Sequence, residues 1–165
     1  MEPRKSIANE LKIEANGDRE LIITRKFNAP RDLVFRAHTE PELVKQWMLG
    51  PDGWTMPICE IDLRVGGIYR FVWEKQTTGD RMGMGGEYTA VDKPAMYAAT
   101  EKFDDPWYEG TANSRTTFTD LDGATLLKNV MQYESRASRD QVLASPMESG
   151  MVETYDRLER LLPTI

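Results

Sequence analysis

The stretch FNAPRDLVFRAHT, residues 27–39, decides the fold, because a strand must stop and a helix must start within a few residues. Pro30 is the reason. A residue before proline avoids the α region, whereas proline itself suits the first turn of a helix. A short helix is therefore predicted from Arg31 to His38, directly after a strand.

A second helix start follows at once. Thr39 and Glu42 have the spacing of a capping box, in which the hydroxyl and the carboxylate satisfy free backbone N–H groups. This pattern predicts a second short helix that runs to about Trp47 or Met48. The glycines and proline of residues 49–53 then end it with a loop.

On the N-terminal side, Asn16 and Gly17 form a dipeptide typical of a two-residue turn with positive φ. The run after it predicts a strand from about Arg19 to Phe27, with a short hairpin partner before the turn. Residues 1–10 are expected to form a flexible or peripheral segment.

Residues 54–134 alternate between apolar and polar side chains, and turn residues recur about every ten positions. This texture is typical of an antiparallel meander without parallel crossovers. Its clearest hairpin is centred on Gly66 and Gly67, with apolar sets on either side at Cys59, Ile61, Leu63, Val65 and at Tyr69, Phe71, Trp73. Counted with the strand before the helices, about seven strands are predicted.

The C-terminus returns to helical spacing. Ser138 can start a lead-in turn, and the run from Ser145 to Glu148 has capping-box spacing with proline at the first helical position. A main helix is predicted from Pro146 to about Leu162. It carries one apolar stripe, Met147, Met151, Tyr155, Leu158 and Leu162, which should pack across the sheet with Met151 and Leu158 buried.

Composition excludes several kinds of protein. The 165 residues suit one domain spanning 1–165, and no run approaches the roughly 20 apolar residues of a membrane helix. One cysteine, Cys59, and one histidine, His38, leave no disulfide and no Cys/His metal site, so no metal and no cofactor is predicted. A net charge of −6 with dispersed basic residues argues against nucleic acid. A cytoplasmic location is the simplest expectation, because no signal peptide is visible.

Three segments carry a resemblance to a known family: Phe27–Ala37, Thr39–Leu43 with Gln46 and Trp47, and Asp62–Gly67. Together they resemble the signature of the bacterial relatives of the C-terminal domain of the Hsp90 ATPase activator. Those proteins lie within the START/Bet v 1-like superfamily, and the likeness covers about Leu21 to Leu162.

The resemblance implies an α+β helix-grip fold, a curved antiparallel sheet of about seven strands around the long C-terminal helix. It also implies a hydrophobic pocket beneath that helix, with no fixed chemistry. Two departures lie near the expected pocket mouth: Met48-Leu49-Gly50-Pro51 stands where relatives often carry Trp-Gly-Pro, and Met151 follows Gly150 where an aromatic residue is common.

The candidate pocket residues are large, adaptable apolar side chains. Any one of them could belong to a solid core, but methionine and tryptophan line cavities that accept varied apolar ligands better than they specify tight packing. The predicted ligand-binding set is Trp47, Trp54, Met56, Tyr69, Phe71, Trp73, Met84, Trp107, Met131, Met147 and Met151. The candidates for orienting a ligand's polar group are Glu60, Asp62, Tyr69, Glu87 and Arg115.

Three functions are compatible with the sequence. The leading hypothesis is the binding of a small hydrophobic or amphipathic molecule between the sheet and the C-terminal helix. The second is an enzyme of the polyketide-cyclase type that uses the same cavity, with a carboxylate or His38 moving a proton. The third is a chaperone-interaction module. No catalytic residue is named, because no acid–base pair has motif-like spacing and His38 is most simply a core histidine. No stable insertion into a membrane is expected, and a homodimer is left open.

Overall fold

A computed structural model describes residues 10–165 and shows one antiparallel sheet of eight strands covered by helices. The predicted peripheral segment at residues 1–10 falls almost wholly on residues 1–9, which lie outside the described residues. The strands are β1 (Lys12–Asn16), β2 (Glu20–Phe27), β3 (Trp54–Ile61), β4 (Ile68–Lys75), β5 (Arg81–Asp92), β6 (Met96–Phe103), β7 (Ala112–Asp120) and β8 (Thr125–Gln132).

The strand order is β1-β2-β8-β7-β6-β5-β4-β3, and every neighbouring pair is antiparallel. The meander β3 to β8 is therefore continuous, and β2 closes onto its last strand. The eighth strand is β1, the hairpin partner that the sequence suggested. The turn between β1 and β2 is longer than predicted, because Asn16 pairs with Glu20 and leaves three residues between them.

In the described part of the chain four helices accompany the sheet, α1 (Arg31–Thr39), α2 (Pro41–Trp47), α3 (Arg136–Ala144) and α4 (Met147–Leu161), and a 3-10 turn follows at Leu162–Thr164. This arrangement is the predicted helix-grip architecture. Helix α4 begins and ends one residue inside the predicted range.

The two predicted capping boxes are wrong. Thr39 is the last residue of α1, and its hydroxyl donates to the carbonyl of Phe35 at 2.9 Å. The Ser145 hydroxyl donates to the carbonyl of Val142 at 2.5 Å. In both cases the hydroxyl bonds back to the helix that is ending, a local alternative open to serine and threonine. The N-cap of helix α3 lies three residues before Ser138, at Ser135, whose hydroxyl accepts from the Ser138 N–H at 3.0 Å.

The predicted hairpin at Gly66 and Gly67 is confirmed, but β3 ends at Ile61, and residues 62–67 form the turn of the hairpin. Val65 is consequently 64% exposed rather than part of an inward row. Gly67 is required for a close approach, since a Cβ there would lie 2.0 Å from the Asp62 carbonyl oxygen. Tyr69, Phe71 and Trp73 on β4 are all buried, as their alternation predicted.

The main core lies where α1 and the end of α4 meet the sheet. Phe27, Phe35, Phe118, Leu158 and Leu162 are at most 2% exposed and pack in one cluster. The predicted burial is confirmed for Leu158, whereas Met151 is only half-buried. Within residues 10–165, none of the helices combines the length and the apolar character needed to cross a membrane.

Candidate ligand-binding cavity

An inner cavity of about 200 Å³ lies between the concave face of the sheet and α4. Strands β4 to β8 supply most of its wall, α1 supplies one end, and Tyr155 of α4 closes the top. The lining residues are His38, Met48, Tyr69, Phe71, Met84, Tyr88, Tyr97, Ala99, Glu101, Ser114, Thr116, Asn129, Met131 and Tyr155.

An outer cleft of about 510 Å³ lies beside it, between α4, β4, β5 and the loop after α2. Its lining is mostly apolar and includes Trp47, Trp54, Trp73, Met147, Met151 and Tyr155. Met48 and Tyr155 line both spaces, so these two side chains separate the inner cavity from the cleft.

Aromatic rings form a connected wall in the inner cavity. Tyr69 lies 5.2 Å from Phe71 and 5.5 Å from Tyr88, and Tyr88 lies 6.0 Å from Tyr97, all between ring centroids. On the side of α4, the ring of Tyr155 stacks on Trp47 at 5.9 Å. Rings at these distances favour edge-to-face and offset contacts, and they line the cavity with both ring edges and π faces.

His38 closes one end of the cavity. Its Nδ1 lies 2.8 Å from the Val34 carbonyl oxygen, so this nitrogen carries the proton and donates. Nε2 is then an acceptor, and it is buried with no hydrogen-bond partner among residues 10–165. Desolvation lowers the pKa of His38 to about 4, so the ring is neutral at physiological pH. A buried acceptor without a donor is costly, and a ligand donor would satisfy it.

Glu101 marks the other end. It is on the inward face of β6, four residues beyond Tyr97, which places it roughly 13 Å farther along the strand. Burial raises the pKa of its carboxyl group to about 7, and the hydroxyl of Tyr108 donates to Oε1 at 3.4 Å. Among the described lining residues, Glu101 is the one side chain that can carry a charge near neutral pH.

Between the two ends lies a row of neutral hydrogen-bonding groups. The Asn129 amide donates to the hydroxyls of Ser114 and Thr116, at 2.9 Å in each case. Thr116 also forms a side-chain hydrogen bond with Tyr97. Burial raises the pKa of the Tyr97 hydroxyl to about 12. The wall is therefore apolar over most of its area and polar at a few fixed points, which is the usual composition of a small-molecule site.

Two arginines hold α4 over these spaces. Arg25 on β2 is 3% exposed and pairs with Asp156 at 3.2 Å and Glu159 at 3.1 Å. Arg157 donates to the carbonyls of Trp47 and Gly50, at 3.0 and 3.1 Å, and so ties α4 to the loop after α2. The helix is thus fixed to both sides of the molecule.

The structure distributes the predicted pocket residues over several places. Four line the inner cavity: Tyr69, Phe71, Met84 and Met131. Five line the outer cleft: Trp47, Trp54, Trp73, Met147 and Met151. Met56 is buried in the core beside β4 and lines neither space. Trp107 is 36% exposed and also lines neither, because it follows β6 in a loop outside the sheet.

The polar groups that the sequence nominated are mostly misplaced. Glu60, Asp62, Glu87 and Arg115 are exposed, since their strand positions face away from α4 or fall in a turn. Tyr69 does line the cavity, but its hydroxyl already donates to the Thr100 carbonyl at 2.7 Å.

Two polar residues that line the cavity were missed, Glu101 and Asn129, whereas His38 was named only as the proton-moving residue of the enzyme hypothesis. A signal for Glu101 existed. It alternates with Tyr97, Ala99 and Phe103 on one strand, and a carboxylate within such an apolar row is the unusual residue of that face.

Comparison with known families settles the relationship. Residues 28–163 match the family model described as "Activator of Hsp90 ATPase homolog 1-like protein". The chain belongs to this family. A search of curated protein sequences finds no match.

Solved structures with the same fold come from several bacteria. A protein from Rhodobacter sphaeroides has a TM-score of 0.88 at 27% identity, with 94% of this chain and 99% of that chain covered. One from Mycobacterium smegmatis has a TM-score of 0.80 at 24% identity, covering 93% and 97%. A protein from Aeromonas hydrophila, described as AHSA1-like, has a TM-score of 0.67 at 18% identity, covering 87% and 92%.

Proposed function

We propose that this protein binds a small, mainly apolar molecule in the inner cavity beneath α4. The observation that carries the proposal is the unpartnered, buried Nε2 of His38 at the end of an aromatic cavity. A histidine that only filled the core would normally have this acceptor satisfied by the protein itself. A ligand with a hydroxyl or N–H group would donate to Nε2 while its apolar body contacts the tyrosine rings.

The cavity volume limits the ligand. A space of about 200 Å³ suits a molecule with one or two rings. Larger amphipathic molecules would extend past Met48 and Tyr155 into the outer cleft, which adds apolar surface from Trp54, Trp73 and Met151.

The proposal is tested with 2-naphthol, which combines two rings with one hydroxyl donor. We expect saturable binding at one site per chain, with altered tryptophan emission and a raised melting temperature. A ligand at 100 times its Kd should stabilise the native state by about 2.7 kcal/mol.

A pair of variants on one strand locates the probe. Met84→Trp should fill the inner cavity and weaken binding at least tenfold, with little loss of stability. In a close-packed core the same enlargement would destabilise by about 1–3 kcal/mol. Met82→Trp is the matched control, because Met82 lines the outer cleft and is 44% exposed. Loss of stability in Met84→Trp, with no 2-naphthol binding to the parent protein, would refute the proposal.

An enzymatic use of the cavity has one observation in its favour. A carboxyl group with a pKa of about 7 is suited to general acid–base catalysis near neutral pH, and Glu101 lines the cavity. If the protein is an enzyme of the cyclase type, Glu101→Gln should abolish turnover of a bound reactive chain while 2-naphthol still binds. Turnover that survives this change would remove Glu101 from the reaction.

A further inference from the structure

The carboxyl group of Glu101 inside the cavity indicates which charge the ligand carries, in addition to its apolar character. Glu101 lines the cavity, and within residues 10–165 no arginine or lysine shares that lining. Within the described part of the chain, its one side-chain hydrogen bond is the long contact from the Tyr108 hydroxyl, at 3.4 Å. A carboxylate in this position has no opposite charge to compensate its desolvation.

Three tyrosines lie near this carboxyl group. Burial raises the pKa of the hydroxyls of Tyr69, Tyr108 and Tyr133, and all three lie close enough to Glu101 for its charge to raise them further. The three tyrosines therefore remain neutral when Glu101 ionises. The rings of Tyr108 and Tyr133 meet edge to face at 5.2 Å, and Tyr69 lies on the cavity side.

A carboxylate among aromatic rings is the combination that recognises a cation. Ring faces attract an ammonium group electrostatically, and the carboxylate supplies the opposite charge. A neutral ligand would leave the ionised carboxylate uncompensated, and an anionic ligand would add repulsion to its desolvation.

We infer that the ligand carries a protonated amine, which pairs with Glu101 while its apolar body lies along the aromatic wall toward His38. This inference rests on the proposed function and specifies the class of molecule bound. The ammonium group donates to the Glu101 carboxylate, and no bond is formed or broken.

The inference predicts a coupling between ligand and proton. The pKa of Glu101 is about 7, so near pH 6 most molecules hold a protonated, neutral Glu101. An ammonium group binds the ionised form, and binding at that pH therefore releases a proton. As the pH increases toward 7, the affinity for the amine should rise about tenfold per pH unit, and above pH 7 it should level off.

The test uses three probes of one shape: 2-phenylethylamine, 2-phenylethanol and phenylacetate. We expect calorimetry near pH 8 to show the amine binding at least tenfold more tightly than the alcohol, and the carboxylate not binding. Near pH 6, buffers of different ionisation enthalpy should reveal release of up to one proton with the amine and none with the alcohol.

Two variants distinguish the effect of the Glu101 charge from the effect of the cavity itself. Glu101→Gln should remove the amine preference and the proton release while alcohol binding persists, which also shows that the variant is folded. Glu87→Gln is the matched control, because Glu87 is exposed on the neighbouring strand and loses the same charge.

The outcomes distinguish this inference from the proposed function. Equal affinities for amine and alcohol, or an amine affinity that Glu101→Gln leaves unchanged, would overturn the amine assignment and leave cavity binding intact. Failure of both 2-naphthol and 2-phenylethanol to bind would instead contradict the proposed function.

Discussion

The two halves of α4 differ in what they contact. The C-terminal half carries Leu158, which is fully buried against Phe27, Phe35 and Phe118 and is followed by the buried Leu162. The N-terminal half carries Met147 and Met151, both half-buried, which face the outer cleft. One amphipathic stripe therefore packs in the core at the C-terminal half of the helix and faces a cleft at the N-terminal half.

The difference teaches that helical spacing identifies the buried face but not the depth of packing beneath it. At the C-terminal half, bulky side chains from α1 and the sheet fill the space. At the N-terminal half, Met147 and Met151 line the outer cleft, and a Cβ added at Gly150 would lie 3.7 Å from the Pro51 ring of the facing loop, an ordinary contact distance. The C-terminal half anchors the helix, and the N-terminal half covers a space.

The largest expected effect comes from truncating the anchored half. Leu158→Ala should destabilise the protein by about 3–4 kcal/mol, because it removes a fully buried side chain and leaves a void among rigid aromatic rings. Met151→Ala, the corresponding truncation in the covering half, should cost less than about 1 kcal/mol. Urea denaturation of both variants measures the difference, and equal losses would show that the two halves are packed alike.

The two ends of the inner cavity should respond to pH in opposite ways. The pKa of Glu101 is raised from 4.5 to about 7. Its contribution to the free energy of unfolding is therefore fully present below pH 4.5 and is lost as the pH rises through 7. The pKa of His38 is lowered from 6.5 to about 4, so its contribution is present above pH 6.5 and is lost as the pH falls through 4. Each change corresponds to about 3 kcal/mol at most.

Matched variants isolate the two contributions. Relative to the parent protein, Glu101→Gln should gain stability as the pH rises from 4.5 to 7. His38→Asn, which keeps a donor for the Val34 carbonyl, should gain relative stability as the pH falls from 6.5 to 4. Chemical denaturation across this range checks both slopes, and a flat difference for either variant would show that the group titrates normally.

A smaller effect is expected where α4 is tied to the cleft. Arg157→Met should destabilise by about 1–2 kcal/mol, since it leaves the Trp47 and Gly50 carbonyls without their donor while keeping the apolar stem. Its ion pair with Asp52 adds little, because Asp52 is 97% exposed. Asp52→Asn is therefore the control and should be nearly neutral by thermal unfolding. A loss in Asp52→Asn equal to that in Arg157→Met would assign the effect to the ion pair.

The architecture could be predicted from sequence because its signals are local. Pro30 marks the change from strand to helix, and the alternation of Tyr69, Phe71 and Trp73 identifies an inward face. The predicted capping boxes were wrong because the hydroxyls of Thr39 and Ser145 have another local partner. They donate to a carbonyl of the preceding helix turn instead of accepting from the N–H groups of the next helix. The sequence does not show which of these two hydrogen bonds is the stronger.

The site was harder to predict because it depends on distant elements. Trp107 and Met84 belong to the same class of large apolar residues, but only the path of the loop after β6 places Trp107 outside. Glu101 and His38 are 63 positions apart, and their common cavity exists only once β6 and α1 face each other across the sheet. Spacing along the chain carries no information about that juxtaposition.

The most direct test of cavity binding follows the methionine methyl groups by NMR during titration with 2-phenylethanol. Met84 and Met131 line the inner cavity, whereas Met56 lies in the core and Met96 lines neither space. The account predicts saturable shifts at Met84 and Met131 with Met56 and Met96 unchanged. Shifts confined to Met82, Met147 and Met151, or no shifts at any methionine, would contradict it.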